Sequence, residues 1–92
     1  MIKAIATILA AGIAGAPQAQ ADMNSYLAYL QNHGVLSYDS NGSLGTQECA
    51  ALRQGKSEEF LMGQLIQAYP MWGKVQAEGI VQGAHRNLCP DA

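Results

Sequence analysis

Beyond residue 22, apolar residues recur at intervals of three and four positions, and glycine, proline and small polar residues interrupt this pattern. The interruptions fall at Gly34, at residues 40–43, at residues 55–57 and at residues 69–70. They divide the chain into four stretches of helical length, because these residue types start or end helices. The alternation of apolar and polar residues that is typical of strands is missing. The pattern therefore predicts an all-α fold, a small bundle of three to four short helices.

Several positions predict where these helices end and how closely they approach each other. Gly34 suits a left-handed cap at the end of the first stretch, and Ser57 suits an N-cap at the start of the third. Gly79 and Gly83 lie four residues apart, so they share one face that another helix can approach closely. The residues predicted to face the core are Met23, Tyr26, Leu27 and Leu30, then Cys49 and Leu52, then Phe60, Leu61, Leu65 and Ile66, then Val75, Ile80, Val81, Ala84 and Leu88.

Residues 1–21 have the pattern of a secretory signal peptide. Lys3 precedes the uncharged stretch 4–16, and small residues lead to a cleavage site after Ala21. The stretch is shorter than the roughly 20 apolar residues that a transmembrane helix needs, and no second apolar stretch follows. We therefore expect cleavage to remove the signal peptide, and the mature domain, residues 22–92, to be secreted without a stable membrane span.

Composition narrows the classes of function. The chain has 92 residues, 13% of them charged, and 5 Lys and Arg oppose 7 Asp and Glu, for a formal net charge of −2. A chain of this length forms one small domain. It has no basic face that could neutralise phosphates, which argues against nucleic-acid binding. The sequence motifs of serine hydrolases, zinc proteases and phosphate-binding loops do not occur, so we expect a protein that binds and does not catalyse.

Cys49 and Cys89 are the two cysteines of the chain. Export permits them to form a disulfide, which small secreted domains often need. Such a bridge would close a loop of about 41 residues and contribute roughly 3.9 kcal/mol of stability in the loop-entropy description. The alternative is that the cysteines are free, redox-active or metal ligands, but they lie far apart in sequence and lack a CxxC context.

Three blocks of sequence resemble a known family. Residues 26–30 follow the pattern Tyr-Leu-x-x-Leu and lead to a glycine, residues 44–57 read Leu-Gly-x-Gln-x-Cys-x-x-Leu-x-x-Gly-x-Ser, and residues 80–90 end in Leu-Cys-Pro. Together they resemble a mycobacterial secreted family known as domain-of-unknown-function family seven-three-two, over about residues 22–90. The resemblance implies a small exported helical domain whose two cysteines bridge. Residues 69–73 depart from the Asn-Pro-Gly-type turn of that family.

The segment before the last helix contains three large apolar residues, Tyr69, Met71 and Trp72. This mixture of side chains is typical of interface hot spots. The three residues are therefore predicted to contact a protein partner in the cell envelope or outside the cell. The competing interpretation is that Trp72 packs inward as the largest anchor of the core.

A small-molecule carrier is the alternative hypothesis for function. Tyr29 and His33 lie four residues apart and share a helix face, and phenolate with imidazole can bind iron. The pattern is loosely similar to small helical mycobacterial haem carriers. His33 is also explained as a polar residue at a helix C-terminus, where the helix dipole favours it. In the leading interpretation, the protein has no cofactor and no metal.

The segment 39–43 begins like a calcium-binding loop but does not continue as one. Leu44 and Ala50 stand where such a loop requires glycine and glutamate. A solvated turn is predicted here instead.

Overall fold

The computed structural model of the chain describes residues 15–92, with side chains from residue 23 onward. The described residues form four α-helices and one 3-10 turn, and they contain no strand. The elements are α1 (Gly15–Asn32), the 3-10 turn (Leu36–Tyr38), α2 (Ser43–Arg53), α3 (Glu58–Ala68) and α4 (Lys74–Asn87). The predicted all-α bundle is confirmed in its four-helix form. Residues 1–14 of the predicted signal peptide lie outside the described residues, and α1 runs through the predicted cleavage site.

The central helix of the bundle is α4. It packs along α1, α2 and α3, whereas α2 and α3 meet over only a short stretch. Gly83 lets α1 approach α4 closely, because a Cβ at this position would lie only 2.7 Å from Cδ1 of Tyr29 and would clash with it. Gly79 admits the segment after α1, where a Cβ would lie 2.9 Å from the Val35 side chain. The predicted close approach is confirmed, and it offsets the roughly 1 kcal/mol that each glycine costs within a helix.

Local chemistry sets the end of α1 and the start of α3. Gly34 has φ +71°, and the Val35 N–H donates to the Leu30 carbonyl at 2.9 Å, which closes α1 with a left-handed cap. Ser57 precedes α3, and its Oγ accepts a hydrogen bond of 3.1 Å from the Phe60 N–H. Both predicted caps are confirmed.

One disulfide joins Cys49 in α2 to Cys89 just beyond α4, with Cα atoms 5.8 Å apart. Both cysteines are buried. The predicted pairing is confirmed. Because α2 contacts α3 so little, the disulfide and the packing against α4 together hold α2 in place.

The core is formed by the apolar faces of α1, α2 and α3, which pack around α4. Its fully buried large side chains are Tyr26, Leu30, Val35, Leu61, Ile80, Val81 and Cys89. The polar residues Asn24, Ser25, Gln31 and Asn32 of α1 lie in solvent, and all four are exposed. The helical periodicity therefore identified most of the core correctly.

Three residues that were predicted to face the core lie largely in solvent. Phe60 is 49% exposed, Ile66 37% and Val75 62%. On α3, only the helix face that packs against α4 is buried. Phe60 and Ile66 are sequence neighbours of the buried Leu61 and Leu65, and each step along a helix rotates the side chain by about 100°, so they point away from α4. Val75 lies two positions before the fully buried Ala77, so it points to the opposite side of α4. The prediction was wrong for these residues because the described elements cover α3 and the start of α4 on one side only.

Candidate functional site

Tyr29 and His33 are brought together on α1. Their rings stack with centroids 4.0 Å apart and planes inclined by 25°. The Nδ1 of His33 lies 2.8 Å from the Tyr29 carbonyl oxygen. In the neutral ring, Nδ1 therefore donates its proton to this carbonyl and Nε2 keeps its lone pair. Arg86 of α4 lies 5.9 Å from the centroid of the Tyr29 ring.

A cavity of about 240 Å³ adjoins this pair, smaller than the roughly 300–1,000 Å³ that is usual for small-molecule sites. In the haem hypothesis, the phenol of Tyr29 and the imidazole of His33 would be the groups that hold the iron. The haem hypothesis stays a prediction, and its test is a Soret change on titration that is lost in Tyr29→Phe and His33→Ala. In the described residues, no cluster of three or more His, Cys, Asp or Glu side chains is placed to hold a metal ion.

Tyr69, Met71 and Trp72 lie together between α3 and α4, and we call these three residues the aromatic break. Tyr69 and Trp72 stack with centroids 4.2 Å apart, and Tyr38 meets Trp72 edge-on at 5.1 Å. Trp72 is half-buried and packs against the core. Met71 is 96% exposed and Tyr69 38%. Trp72 thus anchors the break, while Met71 and Tyr69 face solvent.

The turn before α2 contains a buried carboxylate. Asp39 is 4% exposed and accepts hydrogen bonds from the Tyr26 hydroxyl at 2.6 Å, the Leu44 N–H at 2.9 Å and the Gly45 N–H at 2.8 Å. The two amides belong to the first turn of α2, so Asp39 satisfies donors that the helix itself leaves unpaired. The prediction of a solvated turn is wrong at Asp39, because these three donors hold its carboxylate in the interior.

Tyr26 completes this network from α1. Burial and the hydrogen bond to Asp39 hold the pKa of the Tyr26 phenol well above its ordinary value, so the hydroxyl remains a donor. Gly45 makes room for the ring, because a Cβ at this position would lie 2.6 Å from the Tyr26 hydroxyl oxygen. The three elements α1, the turn and the start of α2 are therefore joined through one carboxylate.

Glu48 lies on α2 one turn after Leu44 and is 9% exposed. Among the residues whose side chains are described, 23–92, none donates a hydrogen bond to its buried Oε1. Burial raises the pKa of Glu48, and the nearby charge of Asp39 raises it further. Unlike Asp39, Glu48 is a buried carboxyl group with an unsatisfied oxygen, a situation that generally costs about 1–3 kcal/mol.

A groove between α2 and α3 opens beside Glu48, and we call it the Glu48 groove. Its volume is about 490 Å³, which lies within the range of small-ligand sites. Its lining residues are Leu44, Gln47, Glu48, Gln64, Leu65, Gln67, Ala68 and Tyr69. The groove exists because α2 and α3 meet over only a short stretch. Tyr69 belongs both to this groove and to the aromatic break, so the two surfaces are adjacent.

His85 connects α4 to the start of α3. Its Nδ1 lies 2.7 Å from a carboxylate oxygen of Glu58, and its Nε2 lies 2.9 Å from the Ala92 carbonyl oxygen. Both ring nitrogens can donate only when the imidazole is protonated. The hydrogen bonds to Ala92 and then to Glu58 accordingly raise the pKa of His85. We assign this contact a structural role.

Neither Asp39 nor Glu48 was identified from the sequence as a site residue. A signal for Glu48 was present, because it lies four positions from both Leu44 and Leu52 and therefore shares their face of α2. A charged residue on the apolar face of a helix is a candidate for a buried functional group. The burial of Asp39 carried no such local signal, since it depends on Tyr26, 13 residues away.

The fold and the site define a small all-α protein that is stabilised by one disulfide and carries an open groove beside a buried carboxyl group. The chain belongs to the family described as "Protein of unknown function (DUF732)", which matches residues 18–91. This match includes both cysteines and confirms the family resemblance. No curated protein and no solved structure matches the chain. None of the helices in the described part of the chain is long and apolar enough to cross a membrane.

Proposed function

We propose that this chain is an exported binding protein without enzymatic activity, and that it engages a protein partner in the cell envelope or outside the cell. The aromatic break is the observation that carries this proposal. Met71 is 96% exposed beside Tyr69, which is held in place by its stack on Trp72. Tyrosine and tryptophan are enriched among the few residues that supply most of the binding energy at protein interfaces, and methionine is enriched at these interfaces.

The anchoring of the aromatic break supports a role in binding. Trp72 packs against the core and is held between Tyr69 and Tyr38. Because these rings are already ordered, little conformational entropy is lost when a partner covers them. The flexible side chain of Met71 can adapt to the shape of the partner.

Two features support export. Residues 1–21 have the pattern of a secretory signal peptide. The disulfide between Cys49 and Cys89 belongs to the kind of bond that persists in oxidising compartments outside the cytosol. Both features favour a partner in the cell envelope or beyond it.

The test is photo-crosslinking in cells that produce the protein. A photoreactive amino acid replaces Met71 in the full chain, and in a matched control it replaces Phe60, an exposed residue near the other end of α3. Position 71 is a better probe than position 72, because a change at Trp72 would also disturb the core. We expect mass spectrometry to identify one dominant protein that is crosslinked from position 71 and not from position 60. Identical products from both positions, or none from position 71, would contradict the proposal.

A further inference from the structure

The Glu48 groove combines a buried negative group with a lack of positive charge. The residues that line it include no lysine, arginine or histidine. Glu48 is 9% exposed, and no described side chain or backbone group of residues 23–92 donates a hydrogen bond to its Oε1. The neighbouring Asp39 is already bonded to Tyr26 and to two backbone amides. The groove-lining side chains therefore leave the charge of Glu48 uncompensated, and a cationic group from outside would compensate it.

The remaining lining suits a guanidinium better than a metal ion. Calcium takes six or more oxygen ligands, and magnesium demands an octahedral set, whereas this groove offers one carboxylate. Three glutamine side chains add neutral amide oxygens around that carboxylate. A guanidinium has five N–H donors in a planar fork and can bond a carboxylate and neighbouring amides together.

The apolar part of the groove matches the rest of an arginine side chain. Leu44, Leu65 and Ala68 contribute apolar surface to the lining. The methylene groups of arginine bury well along such a surface while the charged end reaches a polar partner. The groove is thus complementary to both ends of one arginine side chain.

We propose that the Glu48 groove binds an arginine side chain of the protein partner, with the guanidinium on the carboxylate of Glu48. This inference rests on the proposed function, since the arginine belongs to the partner that covers the aromatic break. Tyr69 lies in both surfaces, so one segment of the partner can reach both. The net charge of −2 favours the approach of a basic segment.

The groove can be tested without the partner. The oxidised, isotope-labelled chain is titrated with N-acetyl-arginine amide and, in parallel, with N-acetyl-citrulline amide, which keeps the shape and lacks the charge. Backbone NMR shifts locate the site, and the fluorescence of Trp72, the single tryptophan, provides a second signal because it stacks on Tyr69. We expect the arginine probe to shift groove residues and the citrulline probe to bind at least about tenfold more weakly.

A pair of variants assigns the binding to Glu48. Glu48→Gln removes the charge with little change of shape, and Glu59→Gln removes the same charge from an exposed residue of α3 outside the groove. We expect about tenfold weaker arginine binding in Glu48→Gln and no change in Glu59→Gln. Because burial raises the pKa of Glu48, removing its charge relieves a cost in the folded state, and Glu48→Gln should remain folded.

Three results would overturn the arginine site. They are equal binding of the arginine and citrulline probes, unchanged binding in Glu48→Gln, and a lysine probe that binds as tightly as the arginine probe. The last result would show that the groove recognises charge and not the guanidinium.

The two proposals fail separately. A crosslink from position 71 without any arginine-specific shift rejects the groove and leaves the partner surface intact. Arginine-specific shifts without a crosslink support the cation site and reject the aromatic break as the partner contact.

Discussion

Asp39 orders three parts of the chain with one carboxylate. Its carboxylate is 4% exposed and accepts hydrogen bonds from the Tyr26 hydroxyl of α1 and from the Leu44 and Gly45 amides in the first turn of α2. Hydrogen bonds to a charged acceptor each contribute about 1.5–3 kcal/mol, and a buried donor that loses its acceptor costs a similar amount. The stability of the start of α2 therefore depends on this residue.

Asp39→Asn is expected to lower the free energy of unfolding by about 3 kcal/mol. The side-chain NH₂ of asparagine is itself a donor, so it cannot accept a hydrogen bond from the donors that surround Asp39. Tyr26→Phe should cost about 1.5 kcal/mol, since it removes one hydrogen bond and leaves the two backbone amides paired. Thermal unfolding measures both, at about 4–8 °C per kcal/mol for a domain of this size. Tyr38→Phe is the control, because Tyr38 lies outside the network. Equal melting temperatures for wild type and Asp39→Asn would show that the network contributes nothing.

At the scale of helices, the sequence predicted the role of residues whose contacts lie within a few positions along the chain. Gly34 and Ser57 end and start helices through backbone contacts three to five residues away, so their roles follow from local sequence. The exposure of Phe60 depends instead on which elements cover α3, which local periodicity does not determine. The same limit applies to the candidate site. The Glu48 groove arises from the sparse contact of α2 with α3, a property of the assembled bundle.

The contact of His85 with Glu58 gives the α3–α4 pair a dependence on pH. Hydrogen bonds to Ala92 and Glu58 raise the pKa of His85 in the folded state above its ordinary value of 6.5. The protonated imidazole therefore stabilises the fold fully at pH values below 6.5, and this stabilisation is lost as the pH rises through the raised pKa of the folded state. We expect His85→Gln to lower the melting temperature more at about pH 5.5 than at about pH 9.

The double variant with Glu58→Gln provides the control for this prediction. Without the carboxylate, the pH dependence of the His85→Gln effect should become smaller, because one of the two groups that raise the pKa is gone. A His85→Gln effect of the same size at both pH values would exclude a contribution from protonated His85.

For the whole molecule, the disulfide should decide whether the bundle and its groove persist. α2 carries Glu48 beside Cys49, contacts α3 little, and is held by α4 and by the bond to Cys89. Reduction is expected to lower the free energy of unfolding by roughly 3.9 kcal/mol, or the melting temperature by about 15–30 °C, and to abolish arginine binding with it. Circular dichroism melts with and without reductant measure the change. A protein with Cys49→Ala and Cys89→Ala should melt at the lower temperature in both conditions. An unchanged melting temperature, with two free thiols verified, would show that packing against α4 alone holds α2.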